Sequence, residues 1–201
     1  MLKVFGDSQS GNCYKVQLLM HHLEIKHEWV SVDILAGDTR TPEFLAKNTN
    51  GKIPLLQISS GDYLAESNAI LNYLAEGTSY LPDDRLKRAQ VLSWQFFEQY
   101  SHEPYIAVAR FIAKYLGLPE ERRKDYEDKQ KGGKKALSVM EHSLSRAPWL
   151  VGDAMTIADI SLYAYTHVAH EGGFDLSGYP SVNAWLRRVR EHPKHMEMLA
   201  Y

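Results

Sequence analysis

Strand-like segments of this 201-residue chain are confined to residues 1–76, where they alternate with helical ones. Strands show apolar residues in short or alternating runs, whereas helices repeat them every three to four positions. The predicted strands lie at residues 2–5, 28–33 and in a hairpin around 53–65, and the predicted helices lie at residues 12–24, 42–47 and 66–76. This β-α-β-α-β-β-α order predicts two parallel strands and an antiparallel hairpin in a single sheet.

Helical patterns alone follow the turn-rich boundary that begins at Gly77. They cover residues 84–116, 119–145, 157–169 and 181–191, with a short last helix after Pro193. We expect the first helix to bend near Pro104 and the second to be weak at Gly132-Gly133. The predicted fold class is therefore an α/β thioredoxin-like N-terminal domain plus an all-α helical C-terminal domain. The domain bounds are residues 1–77, a linker at 78–84, and residues 85–201.

Composition and charge exclude several function classes. A net charge of −2 gives no indication of nucleic acid or an anionic membrane as a partner. The single cysteine, Cys13, cannot form a disulfide framework within the chain. The N-terminus has no signal-peptide pattern, and no segment approaches the roughly 20 apolar residues of a membrane span. These features predict a cytoplasmic protein.

Two elements of the hairpin region predict a site for a small peptide with charged ends. The Ile53-Pro54 bond tolerates a cis geometry, which would turn the Ile53 backbone outward to pair with an extended peptide. About a dozen residues later, Glu66-Ser67 opens a helix, where backbone N–H groups and a hydroxyl can hold a carboxylate. Taken alone, the same residues also fit a tight hairpin followed by a helix cap.

The pairing of Lys52-Ile53-Pro54 with Glu66-Ser67 resembles the glutathione-binding half of the cytosolic glutathione transferases. The resemblance implies that Lys52 neutralises the glycine-end carboxylate of glutathione and that the Ile53 backbone pairs with its cysteinyl unit. It also implies that Glu66 and Ser67 hold the γ-glutamyl end. The turn at residues 39–41 is a further source of contacts, although the sequence does not single out a residue there.

The segment from Ser10 to Val16 follows the first strand and is similar to the active-site loop of the serine-type members of that family. The resemblance implies that the Ser10 hydroxyl donates a hydrogen bond to the glutathione sulfur and stabilises the thiolate. Ser8 and Asn12 are competing donors. Cys13 is either a reactive thiol in the first helical turn or, as we favour, a small buried residue facing the sheet. Since position 10 is Ser, a Cys-x-x-Cys dithiol mechanism is excluded.

The later motifs are mainly structural. Thr156-x-x-Asp159 has capping-box spacing and resembles the start of the buried central helix of these transferases, so that Asp159→Ala is expected to cost about 0.5–2 kcal/mol. In the family, the electrophile pocket is lined by the first long helix of the second domain, which makes candidates of His102, Glu103, Tyr105, Ile106 and Phe111. The spaced histidine pairs lack a recognisable ligand pattern, so no metal is predicted.

The sequence predicts a glutathione transferase that attacks a small electrophile with glutathione thiolate. Glutathione is its co-substrate and no further cofactor is expected. The resemblance implies a homodimer, with Trp94, Phe96, Phe97 and Tyr100 as core or subunit-contact residues. Two alternatives remain open on the same scaffold. One is a glutathione-dependent disulfide reductase or peroxidase, and the other is a non-catalytic glutathione-binding protein.

Overall fold

A four-stranded sheet organises the first part of the chain in the computed structural model, which describes residues 1–198. The strands are β1 (Leu2–Gly6), β2 (His27–Ser31), β3 (Leu55–Gln57) and β4 (Tyr63–Ala65). Their order in the sheet is β2-β1-β3-β4, with β1 parallel to β2 and antiparallel to β3, and with β3 antiparallel to β4. The predicted thioredoxin-like arrangement is confirmed.

Three helices accompany this sheet: α1 (Gly11–His22), α2 (Pro42–Lys47) and α3 (Ser67–Ala75). The α2 helix has the bounds that the sequence predicts, because Thr41 accepts a hydrogen bond from the Phe44 amide and proline occupies the first helical position. Phe44 then packs with Val32 and Leu55 in a small apolar cluster between helix and strands. Local capping and burial of one face together account for the helix.

The second part of the chain is helical. Its elements are α4 (Arg85–Phe97), α5 (Glu103–Arg110), α6 (Arg123–Leu144), α7 (Ile157–Thr166) and α8 (Pro180–Arg190). A wider π-helical turn, Glu98–His102, joins α4 to α5 just before Pro104, and a second, Phe111–Tyr115, follows α5. The interruption agrees with the predicted bend, since proline removes a backbone donor and crowds the preceding turn. Within residues 1–198, no helix is long and apolar enough to cross a membrane.

The glycine pair of α6 corrects one expectation. The helix continues unbroken through Gly132 and Gly133, where the sequence predicts a weak point. A Cβ atom at Gly132 would lie 2.2 Å from the Tyr105 ring, and one at Gly133 would lie 2.2 Å from the Phe174 ring. The two glycines therefore admit aromatic rings close to the helix backbone.

The chain divides into two compact units, and the segment after Pro193 belongs to the first of them. Lys194 donates to the His22 carbonyl at 3.1 Å, and Tyr14 donates to the Met196 carbonyl at 2.5 Å. The second unit comprises residues 77–193. The sequence places the C-terminal segment in the helical domain and predicts a short helix there, but residues 195–198 have no regular structure. These tertiary hydrogen bonds hold the segment to α1 instead.

Candidate active site

The loop before α1 and the start of α3 meet in the first unit. Ser67 Oγ lies 3.3 Å from Asn12 Oδ1, although the two residues are 55 positions apart. Lys15 Nζ lies 2.8 Å from the same Asn12 oxygen and 3.3 Å from Ser67 Oγ. The fold thus joins the two segments that the sequence selects, through a three-residue polar cluster formed by Asn12, Lys15 and Ser67.

Ser10 is the N-cap of α1. Its Oγ accepts a hydrogen bond from the Cys13 amide at 3.4 Å, and its own amide donates to the Asp7 carbonyl at 3.0 Å. A hydroxyl has one hydrogen to donate besides its lone pairs, so capping leaves the Ser10 O–H available to a ligand. Ser10 is half-buried, whereas the competing Ser8 is only 7% exposed. Both the capping and the thiolate-stabilising interpretations are compatible with this geometry.

Cys13 is a buried residue that faces the sheet, as the favoured interpretation predicts. Its side chain is 0% exposed, and a Cβ atom added to Gly6 would lie 2.8 Å from its sulfur. Burial raises the pKa of the Cys13 thiol to about 12, only partly offset by the hydrogen bond with Ser10. A thiol that is protonated and enclosed in this way is a poor nucleophile.

The segment before β3 contains a cis peptide bond and lies beside two cationic side chains. The Ile53-Pro54 bond is cis, as the sequence predicts, and the Asn48 side chain donates to the Lys52 carbonyl at 2.8 Å. Lys52 is exposed. A Cβ atom at Gly51 would lie 2.7 Å from Nη1 of Arg40, so that a second cation borders the same segment. Arg40 belongs to the turn at residues 39–41, from which the sequence singles out no residue.

Glu66 and Ser67 differ in exposure and in backbone conformation. Ser67 is the first residue of α3 and is 6% exposed, whereas Glu66 is exposed and has φ 70° and ψ 114°. A positive φ is costly for a residue with a Cβ atom, by about 1–3 kcal/mol, and such strain is concentrated at ligand sites. The strained conformation makes this junction a candidate binding position, as the sequence predicts.

Lys15 is the residue of this cluster that the sequence analysis missed. It lies on α1 among apolar residues and is 0% exposed, which is exceptional for a lysine. A cation inside an otherwise apolar stretch of helix was the available signal. Its partners, however, come from two separate segments, so the sequence alone could not identify them.

In the helical unit, Asp159 has the structural role that the sequence predicts. The capping box is complete, because Thr156 caps α7 and the Asp159 carboxylate accepts from the Thr156 amide at 2.9 Å. The same carboxylate also accepts from the Leu150 amide and from Trp185 Nε1, each at 3.0 Å. Burial raises the pKa of Asp159 and these hydrogen bonds oppose the rise. The buried carboxylate joins three segments of this unit.

The candidate pocket residues are not equivalent in their surroundings. His102 is buried, with its Nε2 atom 2.9 Å from Thr166 Oγ1, and Ile106 belongs to the buried core of the helical unit. Glu103, Tyr105 and Phe111 are half-buried. The surroundings of His102 favour a structural role within the helices. Lining of a second-substrate pocket by the other three stays a prediction.

Comparison with known proteins agrees with the fold of both parts of the chain. Residues 9–76 match the glutathione S-transferase N-terminal domain, and residues 94–193 match the C-terminal domain. A solved glutathione S-transferase from Pseudomonas fluorescens Pf-5 is 62% identical, with a TM-score of 0.97 and 99% of each chain covered.

Two curated relatives are more distant and carry different names. The disulfide-bond oxidoreductase YfcG of Escherichia coli K12 is 30% identical over 90% of this chain and 87% of its own length. The probable glutathione S-transferase GSTF1 of Oryza sativa subsp. japonica is 30% identical over 99% of this chain and 95% of its own length. Since both domain models match and the fold agrees across most of its length, the chain belongs to the glutathione S-transferase family of enzymes.

Proposed function

We propose that this protein is a glutathione transferase in which Ser10 stabilises the thiolate of bound glutathione for attack on a small electrophile. The observation that carries the proposal is the position of Ser10 at the start of α1, in the segment that the polar cluster ties to Ser67. In the proposed site, one oxygen donor and one carboxylate site then lie in two segments that this cluster joins. Glutathione is the ligand whose thiol and carboxylate match them.

Each end of glutathione has a matching group in the proposed complex. The γ-glutamyl carboxylate is held by the Ser67 hydroxyl and by the N-terminal amides of α3, with Glu66 facing the amino group. The cysteinyl unit pairs with the Ile53 backbone. The glycine carboxylate is neutralised by Lys52, and Arg40 adds a second cation at that end.

The energy needed for thiol activation is within reach of these groups. A free thiol has a pKa of about 8.5, and one pKa unit corresponds to about 1.4 kcal/mol. A hydrogen bond to a charged group contributes about 1.5–3 kcal/mol, and the positive end of α1 adds to it. Together they lower the thiol pKa by one to two units and make the thiolate abundant near pH 7. The sulfur lone pair then forms the carbon–sulfur bond as the leaving group departs.

An ultraviolet titration of bound glutathione tests the role of Ser10. Thiolate absorbance would be followed against pH in the parent chain, in Ser10→Ala and in the matched control Ser8→Ala. We expect a bound thiol pKa near 6–7 in the parent and the control, and a return toward about 8.5 in Ser10→Ala. A low pKa retained in Ser10→Ala would transfer the role to Asn12 or to the helix terminus. Failure of the parent to bind glutathione would refute the transferase proposal.

Disulfide reduction is the second candidate, favoured by the similarity to a relative named as a disulfide-bond oxidoreductase. In that reaction two glutathione molecules reduce one disulfide, giving one oxidised glutathione and two thiols. The burial of Cys13 means that the thiols would come from glutathione and not from the protein. Accumulation of oxidised glutathione with a disulfide substrate, without thioether formation from an electrophile, would favour this reaction. Binding with an unshifted thiol pKa would favour a non-catalytic protein.

The remaining parts of the proposal concern assembly and context. Four apolar side chains on α4 and the turn after it are exposed: Leu86, Leu92, Phe96 and Tyr100. Exposed apolar surface of this kind supports the homodimer that the sequence predicts. A cytoplasmic location and a role in detoxification are proposed on the family resemblance.

A further inference from the structure

The buried ammonium of Lys15 lies beside the oxygen atoms that the proposed carboxylate site uses. It donates to Asn12 Oδ1 at 2.8 Å and to Ser67 Oγ at 3.3 Å, and the side chain is fully enclosed. Burying a charge is costly unless it is hydrogen-bonded, and an apolar side chain of similar length would fill the space without that cost. A side chain that only fills the space at this position would not need a positive charge.

The hydroxyl of Ser67 has a single hydrogen, which constrains how the cluster can respond to a ligand. Without ligand, that hydrogen is donated to Asn12 Oδ1 at 3.3 Å. To bind a carboxylate, the hydroxyl must turn its hydrogen toward the ligand and release Asn12. Asn12 Oδ1 then keeps Lys15 as its donor, and Ser67 Oγ remains anchored by the same ammonium. No buried acceptor loses its partner in the exchange.

We propose that Lys15 is a positioning residue for glutathione, which frees the Ser67 hydroxyl for the γ-glutamyl carboxylate and supplies the positive charge behind it. The inference rests on the proposed function of the site. It assigns selectivity for that carboxylate to a side chain that is enclosed within the unit. Because Coulomb attraction is stronger away from bulk water, a cation one hydrogen bond behind Ser67 favours an anionic ligand over a neutral one.

The test compares glutathione with γ-aminobutyryl-cysteinyl-glycine, which lacks only the γ-glutamyl carboxylate. Dissociation constants would be measured by calorimetry for the parent, for Lys15→Met and for Lys3→Met, a control that removes a surface lysine of β1 paired with Glu28. We expect Lys15→Met to weaken glutathione binding by about 10- to 100-fold, the range of a hydrogen bond to a charged group. Binding of the analogue should change by less than about twofold, and Lys3→Met should leave both affinities unchanged.

Two further measurements keep the inference testable if Lys15→Met does not fold. Lys15→Gln retains a hydrogen-bond donor without the charge and should show the same split between the two ligands. In the parent chain, the ¹⁵N signal of the Lys15 ammonium should shift on addition of glutathione and not of the analogue. An equal loss of both affinities, or no loss of either, would reduce Lys15 to a structural residue while the transferase proposal stands. Absence of glutathione binding in the parent would refute both.

Discussion

At the scale of single residues, Cys13 is an enclosed thiol in the first turn of α1. Because the Cys13 thiol is buried and its pKa is raised from 9.0 to about 12, we expect it to resist alkylation by iodoacetamide at pH 8 until the chain unfolds. Mass spectrometry with and without denaturant measures this directly. Rapid modification of the native protein would restore Cys13 as a candidate redox group.

The same pKa shift predicts how stability depends on pH. Above pH 9 the unfolded chain releases the Cys13 proton, whereas the folded chain retains it until about pH 12. The folded state then binds more protons, so the contribution of this thiol to stability is complete below pH 9 and falls as the pH rises toward 12. Cys13→Ala should therefore lose less stability than the parent between pH 8 and pH 10 in urea unfolding. An identical pH slope in both proteins would contradict the assignment.

Glu66 illustrates a residue at which stability and binding oppose each other. Glycine tolerates positive φ, so Glu66→Gly should relieve backbone strain and raise the free energy of unfolding by about 1 kcal/mol. Glutathione affinity should fall, since the substitution removes the side chain that we propose faces the ligand amino group. Urea unfolding and calorimetry measure the two effects, with Glu66→Gln as the control that keeps the conformation. A loss of stability in Glu66→Gly would contradict the strain argument.

At the scale of secondary-structure elements, α7 depends on Asp159 more than its capping motif suggests. The spacing of the motif predicts a cost of about 0.5–2 kcal/mol for Asp159→Ala. The structure adds hydrogen bonds from the Leu150 amide and Trp185 Nε1, and each buried donor left without a partner costs about 1–3 kcal/mol. We therefore expect a loss of at least about 2.5 kcal/mol, with glutathione affinity largely intact in the folded fraction.

Urea unfolding of Asp159→Ala beside Asp175→Ala checks this expectation. Asp175 is exposed and, among residues 1–198, accepts from the nearby Ser177, so its loss should cost about 1 kcal/mol or less. Similar costs for the two substitutions would show that Asp159 is a cap and nothing more.

The glycines of α6 allow a second prediction about the stability of a helix. In an exposed helix interior, Gly→Ala stabilises by about 1 kcal/mol. At Gly132 the added methyl group would meet the Tyr105 ring at 2.2 Å, so Gly132→Ala should instead destabilise by about 1–3 kcal/mol. Gly178→Ala, in a turn before α8, is the control without a clash, because apart from its chain neighbours no atom of residues 1–198 lies within 4 Å of its added Cβ. Thermal unfolding of both variants compares them, and a stabilised Gly132→Ala would mean that the ring moves aside freely.

At the scale of the whole molecule, the exposed apolar side chains of α4 and the following turn predict the oligomeric state. Phe96 is 61% exposed and Tyr100 is 77% exposed in the single chain, and one helical turn separates them. Phe96→Glu with Tyr100→Glu should convert a dimer to a monomer in analytical ultracentrifugation, because charges would be buried without partners. Leu35→Glu, at an exposed apolar residue of the first unit, is the control and should leave the dimer intact. A monomeric parent chain would refute the proposed homodimer.

Local signals account for most of what the sequence predicts correctly. The bounds of α2 follow from Thr41 and Pro42, and the cap of α7 follows from the spacing of Thr156 and Asp159. Features that depend on distant partners were missed or wrong. The Lys15 side chain has its hydrogen bond with Ser67 only once the fold places α3 beside α1. The effect of a side chain at Gly132 depends on the ring of Tyr105, which lies on another helix.

The hydrogen bonds from α1 to the segment after Pro193 also bear on how the protein is made. The sheet and α1 are synthesised first, yet Lys194 follows Glu76 by 118 positions. At about 5–20 residues per second, a ribosome needs roughly 6–24 s to cover that interval. During that interval the Met196 carbonyl has not yet been synthesised, so its hydrogen bond with Tyr14 cannot form. The first unit therefore lacks its last segment while the helical unit is translated. Completion of the earliest part of the fold is thus set by the pace of translation.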